Sequence, residues 1–456
     1  MPSKKIVCLG AGSGYFARAL GDLAVAEGLS GSEVTLYDID MEKCELMERH
    51  GRRLANLSGT GLRVRACTDL ADAVDGADFA ISSIGGAGES IGRVYNTGFH
   101  LQDILIPADY GIYQIVGDTG GPAGMMMGLR SIPIYLDICH EMEKRCPDVI
   151  LFNHSNPMAA LCRAMNKYSE INVIGICHGV QIGIRHVAKV LGIPARELET
   201  VWIGTNHYYW FTRIRHKGVD IYPSVRREMA ALESPPGEIM TQKLSQVYGY
   251  QIVYPEDDHI VEFYPFLAQL PDGDSLPYGL KSWLGEGGYT SPDLGKASQL
   301  SEAEKKTQRQ QALLEYGQDL AKIELPEGPS DPLMGEGLAS LIESIASGRR
   351  GVYIVNVPNR GAVSNLPDYA VLELEGVTDS CGVRAVHVGE APISLMGLLQ
   401  KRIAWQELVA DAGVKGDRNL ALQALLLDEM AIRPEKAEAM LDRLLAASRE
   451  MLPQFS

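Results

Sequence analysis

Ile6-Val7-Cys8-Leu9-Gly10-Ala11-Gly12-Ser13-Gly14-Tyr15-Phe16 decides the fold. Four apolar residues make a short buried strand, glycines follow at once, and a helical pattern runs over 15–27. Gly10 and Gly12 permit a tight turn and close approach of the backbone to a pyrophosphate. The free N–H groups and positive dipole end of the helix would hold it. Ser13, Gly14 and Phe16 complete the expected cofactor loop, although Tyr15 stands where the usual third glycine would fall. A second strand over 33–37 ends in Asp38, 26 residues beyond Gly12. An acid there accepts from a ribose hydroxyl and repels a 2′-phosphate, so NAD+ is expected rather than NADP+.

Outward from this loop, apolar runs at 79–84, 149–152 and 172–176 alternate with helical patterns. That alternation predicts an α/β protein with a doubly wound parallel sheet and helices on both faces. A strand is expected at 353–357, and helices at 301–323, 395–412, 420–429 and 435–450. Pro235-Pro236-Gly237 reads as a turn, and 271–337 as irregular cover over a site around the one strong helix. We divide the chain into a Rossmann-like nucleotide domain, 1–197, and an α/β domain, 198–456, carrying substrate, metal and oligomer contacts.

Composition narrows the function. The 456 residues are 46% apolar and 22% charged, ordinary for a globular protein. A net charge of −16 repels phosphate backbones, so nucleic acid is not an expected partner. No run of 18 apolar residues suggests a membrane span. The first strand is too short for a signal-peptide core. Eight scattered cysteines without a CxxC pair point to a reducing, cytoplasmic setting.

Three polar clusters follow strands or aromatic runs. Asn153-His154-Ser155-Asn156-Pro157 lies where an open α/β sheet binds ligands, at a strand's carboxyl end. Its asparagines suit a nicotinamide or a sugar hydroxyl, and equally a capped turn. Cys177-His178 follows the next strand, and His207 lies 30 residues further on. A thiolate and an imidazole can share a divalent ion and leave open positions, though the same residues also suit plain packing. Tyr250 through Tyr264 gathers four acids, one histidine and three tyrosines, a set of proton-transfer groups or a solvated acidic turn.

Together these motifs resemble glycoside hydrolase family 4, the NAD-dependent glycosidases. So do Asp118-Thr119-Gly120-Gly121-Pro122-Ala123-Gly124, Leu129-Arg130-Ser131-Ile132-Pro133, Asn356-Val357-Pro358-Asn359-Arg360-Gly361 and Asn365-Leu366-Pro367. The resemblance implies transient NAD+-dependent oxidation at sugar C3, C2 deprotonation, elimination of the C1 substituent and water addition. It places a divalent metal, usually Mn2+, on Cys177 and His207. It makes His178 a candidate leaving-group acid, and Asp257 or Asp258 the C2 base, with Tyr250 next. It sets Asn153 and Asn156 near nicotinamide and substrate hydroxyls. Gly117-Asp118-Thr119 departs from the Gln-Glu-Thr of many members, and 88–99 departs from the phospho-sugar enzymes. An anionic uronic or 6-sulfonated hexoside, or a neutral one, is therefore expected, with Arg93, Arg130 or Arg360 available to pair an anionic C6 group. The resemblance also implies a lactate/malate-dehydrogenase-like sheet and a homodimer or homotetramer. The competing reading is a lactate/malate-type dehydrogenase acting on a sugar or hydroxy acid.

Overall fold

The computed structural model describes residues 3–85, 98–114, 116–234, 238–264, 301–428, 430 and 432–456. Arg93, the turn at 235–237 and the cover expected over 271–300 lie outside the described residues. The first strand, β1 (Lys5–Leu9), shows why the chain forms a doubly covered sheet. Ile6 and Cys8 point into one hydrophobic core, Val7 and Leu9 into the other, and all four are fully buried. A strand buried on both faces needs helices on both faces.

Six parallel strands supply the framework: β1, β2 (Glu33–Tyr37), β3 (Arg63–Cys67), β4 (Phe79–Ser82), β5 (Ile150–Asn153) and β6 (Asn172–Gly175). Their order, β3-β2-β1-β4-β5-β6, is that of two mononucleotide-binding halves joined at a switch point beside β1. Helices α1 (Phe16–Val25) and α2 (Met41–Ser58) cover one face with the helix Leu338–Ser347. On the other face lie α3 (Leu70–Val74), α5 (Gly121–Arg145), which follows α4 (Gly98–Ala108), and α6 (Met158–Tyr168), with the helix Ile393–Lys415.

The later part of the chain is built onto this sheet. After α7 (Gly179–Leu191), β7 (Leu198–Thr205) and β8 (Tyr208–His216) form a hairpin that β9 (Val219–Asp220) extends. Helices α8 (Tyr222–Ala231), α9 (Ile239–Tyr248) and α10 (Asp257–Phe263) follow. The antiparallel strands β10 (Val352–Pro358), β11 (Val371–Asp379) and β12 (Gly382–Ala385) then join the large sheet beside β6, making nine strands. Helix Glu302–Lys322 starts in a capping box between Ser301 and Glu304, within a residue of the expected boundary.

Strand β3 went unread in the sequence because Arg63-Val64-Arg65 alternates charge with apolar residues at the sheet edge. The hairpin β7–β8 was missed because its pairing is settled by the partners it packs against. Among the described residues, no helix is long and apolar enough to cross a membrane.

Candidate active site

The glycine loop closes the site's nucleotide side. Gly10 has φ +75°, and a Cβ there would lie 2.4 Å from the Ser83 carbonyl oxygen, so only glycine fits. Gly10 and Ala11 both donate to the Tyr37 carbonyl, at 2.9 and 3.0 Å, which ties the loop to β2. The Ser13 and Ser83 hydroxyls meet at 2.8 Å. Asp38 accepts from Gly12 N and Asp40 N, each at 2.7 Å, and retains lone pairs for a ribose. Open space surrounds Gly14. Ile39, beside the acid, is 95% exposed and offers an apolar face on which a base can stack; the sequence reading passed over it. This cradle fits a dinucleotide. Phe16 is the exception to expectation: its ring is fully buried in the core under α1 and faces no ligand.

At the carboxyl end of β5 the two asparagines part company. Asn153 is fully buried. Its oxygen accepts from Ser155 N and Ser82 Oγ, and its amide donates to Ser155 O and Cys162 Sγ. Those bonds use its donors and acceptors within the turn that Asn153 shapes. Asn156 donates to Asp118 Oδ2 at 3.0 Å, accepts from Met158 N, and is half-buried with a donor to spare. The Asn156-Pro157 bond is cis.

Glu336 joins this turn to the nucleotide loop and was not foreseen. Its Oε1 lies 3.2 Å from His178 Nδ1 and 3.3 Å from His154 Nε2, and its carboxylate accepts from Tyr15. Tyr15 stacks on His154 with 3.9 Å between ring centres. The hydrogen bond to Glu336 raises the His178 imidazole above its ordinary range, against the effect of burial.

Strand β6 and the β7–β8 hairpin bring the thiol and the imidazole together. Thr205 pairs with Tyr208, leaving a two-residue turn of Asn206 and His207. His207 takes φ +126°, a strained value for a side chain with a Cβ, which points it at β6. Cys177 Sγ and His207 Nε2 stand 3.2 Å apart, both buried. Burial, then the charges of His259 and His178, pushes His207 well below the ordinary imidazole range, so it is neutral at pH 7. Burial, then Glu373, pushes the Cys177 thiol up, so an arriving cation must displace its proton. A neutral imidazole and a thiol, both buried and aimed at one point, fit a divalent ion.

Helix α10 carries the acidic cluster and separates its members. Asp257 is turned away and accepts from Met240 N and Thr241 N at 3.0 and 2.7 Å, holding the start of α9. It caps that helix with both carboxylate oxygens. Asp258, the next residue, lies beside His259 and Tyr254; burial, opposed by His259, pushes it up to about 6. Tyr254 stacks parallel to His207 at 5.5 Å. Tyr250 packs outside the site on the cluster around Tyr208 and Trp210, so Tyr254 is the tyrosine at the centre.

His259 sits 4.3 Å from His207 between ring centres and faces Asp118 at 3.5 Å and Glu262 at 3.8 Å. Burial opposes its charge, but Glu262, Asp258 and Asp118 together hold the imidazolium up to about 10. Glu262 also accepts from Gly117 N, Thr119 N, Thr119 Oγ1 and Gly120 N, fastening the loop before α5.

Two of the three candidate arginines lie among the described residues. Arg130 is fully buried, donating to both oxygens of Asp103 and, at 2.8 Å, to Ser448 Oγ. It is a structural pair linking α4, α5 and the C-terminus. Arg130→Met should therefore lower stability by about 3–5 kcal/mol in denaturant unfolding, because the buried Asp103 loses its guanidinium partner and keeps only His100, 3.7 Å away. The folded fraction should keep its KM. Arg360 is exposed in the turn after β10, where Asn359 and Asn365 staple the chain through bonds to Val363, Leu366 and Ala391. Much of that late motif is a folding device.

A dinucleotide-type sheet whose carboxyl edge meets a thiol–imidazole pair, a tuned carboxylate and a paired histidine defines an enzyme acting on a small ligand beside a nucleotide. Residues 5–193 match the model for family 4 glycosyl hydrolase, and 202–431 that for the family's C-terminal domain. The chain is 28% identical to an alpha-galactosidase of Bacillus subtilis (strain 168), over 99% of this chain and 100% of that one. It is 31% identical to an alpha-glucosidase of Erwinia rhapontici, over 96% and 97%. A 6-phospho-alpha-glucosidase from gut microorganisms, solved in complex with NAD and Mn2+, shares the fold at TM-score 0.74, with 22% identity over 99% of each chain. The chain belongs to the family 4 glycosyl hydrolases. It is a glycosidase, and the reading as a plain dehydrogenase falls.

Proposed function

We propose that the protein is an NAD+- and Mn2+-dependent glycosidase that cleaves a small hexoside through transient oxidation of the sugar. The observation that carries this reading is the Cys177–His207 pair, 3.2 Å apart, at the same sheet edge as the glycine loop. When bound, NAD+ supplies a hydride acceptor for C3, and the divalent ion supplies Lewis-acid polarisation of the C2 and C3 oxygens. A C2 proton in an unoxidised sugar is far too weak an acid for a carboxylate; a ketone at C3 brings it within reach.

The chain's own residues divide the remaining work. Gly10, Gly12, Ser13 and Gly14 receive the pyrophosphate, and Asp38 the ribose. Cys177 and His207 hold the metal. Asp258 takes the C2 proton, since a carboxylate near 6 is ionised at pH 7 and still basic enough to accept. His178, 3.2 Å from the Glu336 carboxylate, gives its proton to the departing oxygen. Asn156 offers its free amide hydrogen to a sugar hydroxyl. Arg130 is spent on Asp103, and the relatives include an alpha-galactosidase and an alpha-glucosidase, so we take the substrate to be a neutral hexoside.

The test is a panel of nitrophenyl hexosides, with C6-carboxylated, phosphorylated and sulfonated members, assayed with NAD+ and Mn2+ in D2O. Cleavage should require NAD+, accumulate no NADH, and place deuterium at C2 of the released sugar. Full-speed cleavage by nucleotide-stripped enzyme, or a product without deuterium, overturns the reading.

A further inference from the structure

Glu373 takes no part in the reaction just described, yet it stands close behind the metal pair. It lies within β11, paired across the ladder with Asn356 of β10, and is fully buried. An interior carboxyl group is costly unless polar partners hold it, and an apolar residue there would pack more cheaply. Its partner is specific: Asn206 Nδ2 donates to Glu373 Oε2 at 3.0 Å. The same Asn206 amide lies beside the Cys177 sulfur and favours its ionised form. Asn206 is also the residue before His207 in the two-residue turn, so its placement sets where that imidazole emerges. One amide thus sits beside the sulfur, is joined to the histidine through the backbone, and is held on its other side by Glu373.

Ligand-holding groups of this kind keep metal donors at the right separation, and their loss typically weakens binding about 10–100-fold. We propose that Glu373 is a positioning residue for the metal centre, acting through Asn206 to hold Cys177 Sγ and His207 Nε2 in register for a divalent ion. The inference rests on the reading of Cys177 and His207 as the metal's ligands. It makes β11, from the C-terminal half of the chain, a working part of a site whose sulfur comes from the N-terminal half.

The experiment titrates Mn2+ into the NAD+-loaded protein, following free Mn2+ by electron paramagnetic resonance, and repeats it with Co2+, whose thiolate charge-transfer absorption reports the Co–S bond. Wild type, Cys177→Ser, Glu373→Gln, Asn206→Ala and the Glu373→Gln/Asn206→Ala double variant are compared. Glu373→Gln and Asn206→Ala should each weaken Mn2+ binding about 10–100-fold and shift the Co2+ band. The double variant should be no weaker than the worse single one, because the two act as one chain. Wild-type affinity and an unshifted band in both single variants overturn the inference, as does strict additivity in the double. If Glu373→Gln does not fold, Asn206→Ala decides alone: an unchanged band is fatal. Equal Mn2+ affinity in wild type and Cys177→Ser overturns the ligand reading itself and the inference with it. Loss in Cys177→Ser with no loss in the other variants removes only the inference.

Discussion

Cys177→Ser is expected to abolish stoichiometric Mn2+ binding and to lower glycoside cleavage by about 10³-fold, with added Mn2+ failing to restore it. The size follows from the several kcal/mol that a Lewis acid contributes to a developing charge, where about 4 kcal/mol corresponds to three decades. A serine hydroxyl keeps the volume but does not ionise near pH 7, so His207 would be left as the single strong donor of the pair. The substitution is buried and nearly isosteric, and it lies apart from the glycine loop, so NAD+ affinity should stay unchanged. Paramagnetic resonance reads the metal, nucleotide fluorescence quenching reads NAD+, and nitrophenol release reads turnover. Unimpaired cleavage in this variant would refute a role for the thiol.

Asp258→Asn should cost about 10²–10⁴-fold in turnover, the usual contribution of a positioned general base. It should also remove wash-in of solvent deuterium at C2. The wild-type pH profile supplies an independent check. Only the carboxylate form accepts a proton, and burial pushes Asp258 up to about 6. Therefore kcat/KM should fall as pH drops through about 6. That acid limb should vanish in Asp258→Asn. The neighbouring Asp257→Asn should behave oppositely. Its carboxylate holds two backbone N–H groups of α9, so the loss should be about 1–3 kcal/mol of stability with turnover per folded molecule retained. A large loss of turnover in Asp257→Asn and none in Asp258→Asn would reverse the assignment.

Local chain geometry explains which features could be read before the fold was seen. Gly10, Gly12 and Asp38 belong to one strand–turn–helix–strand unit, where backbone sterics and dipoles act over a few residues, so their placement followed from spacing. Cys177 and His207 could be named as a possible pair from their residue types, but only the resemblance to the family favoured metal over packing, because nothing between them in the chain says that a hairpin returns its tip to β6. Asp257 and Asp258 are adjacent and chemically alike; on a helix, successive residues point about 100° apart. One therefore caps α9 while the other faces His259. Phe16, Asn153 and Arg130 carry the chemistry of ligand-binding groups, but each spends it inside the protein.

The alternation of apolar runs with helical periods, the glycine turn and the acid closing the second strand were enough to establish a nucleotide-type α/β sheet and the edge at which it binds, since each depends on near neighbours in the chain. Which aspartate is spent capping a helix, which arginine is locked in an ion pair, and that Glu336 and Glu373 come to this sheet edge at all were decided only by tertiary packing. Burial and the charges that crowd a group arise from segments hundreds of residues apart, and these decide whether an acid, a thiol or an amide remains available to a ligand.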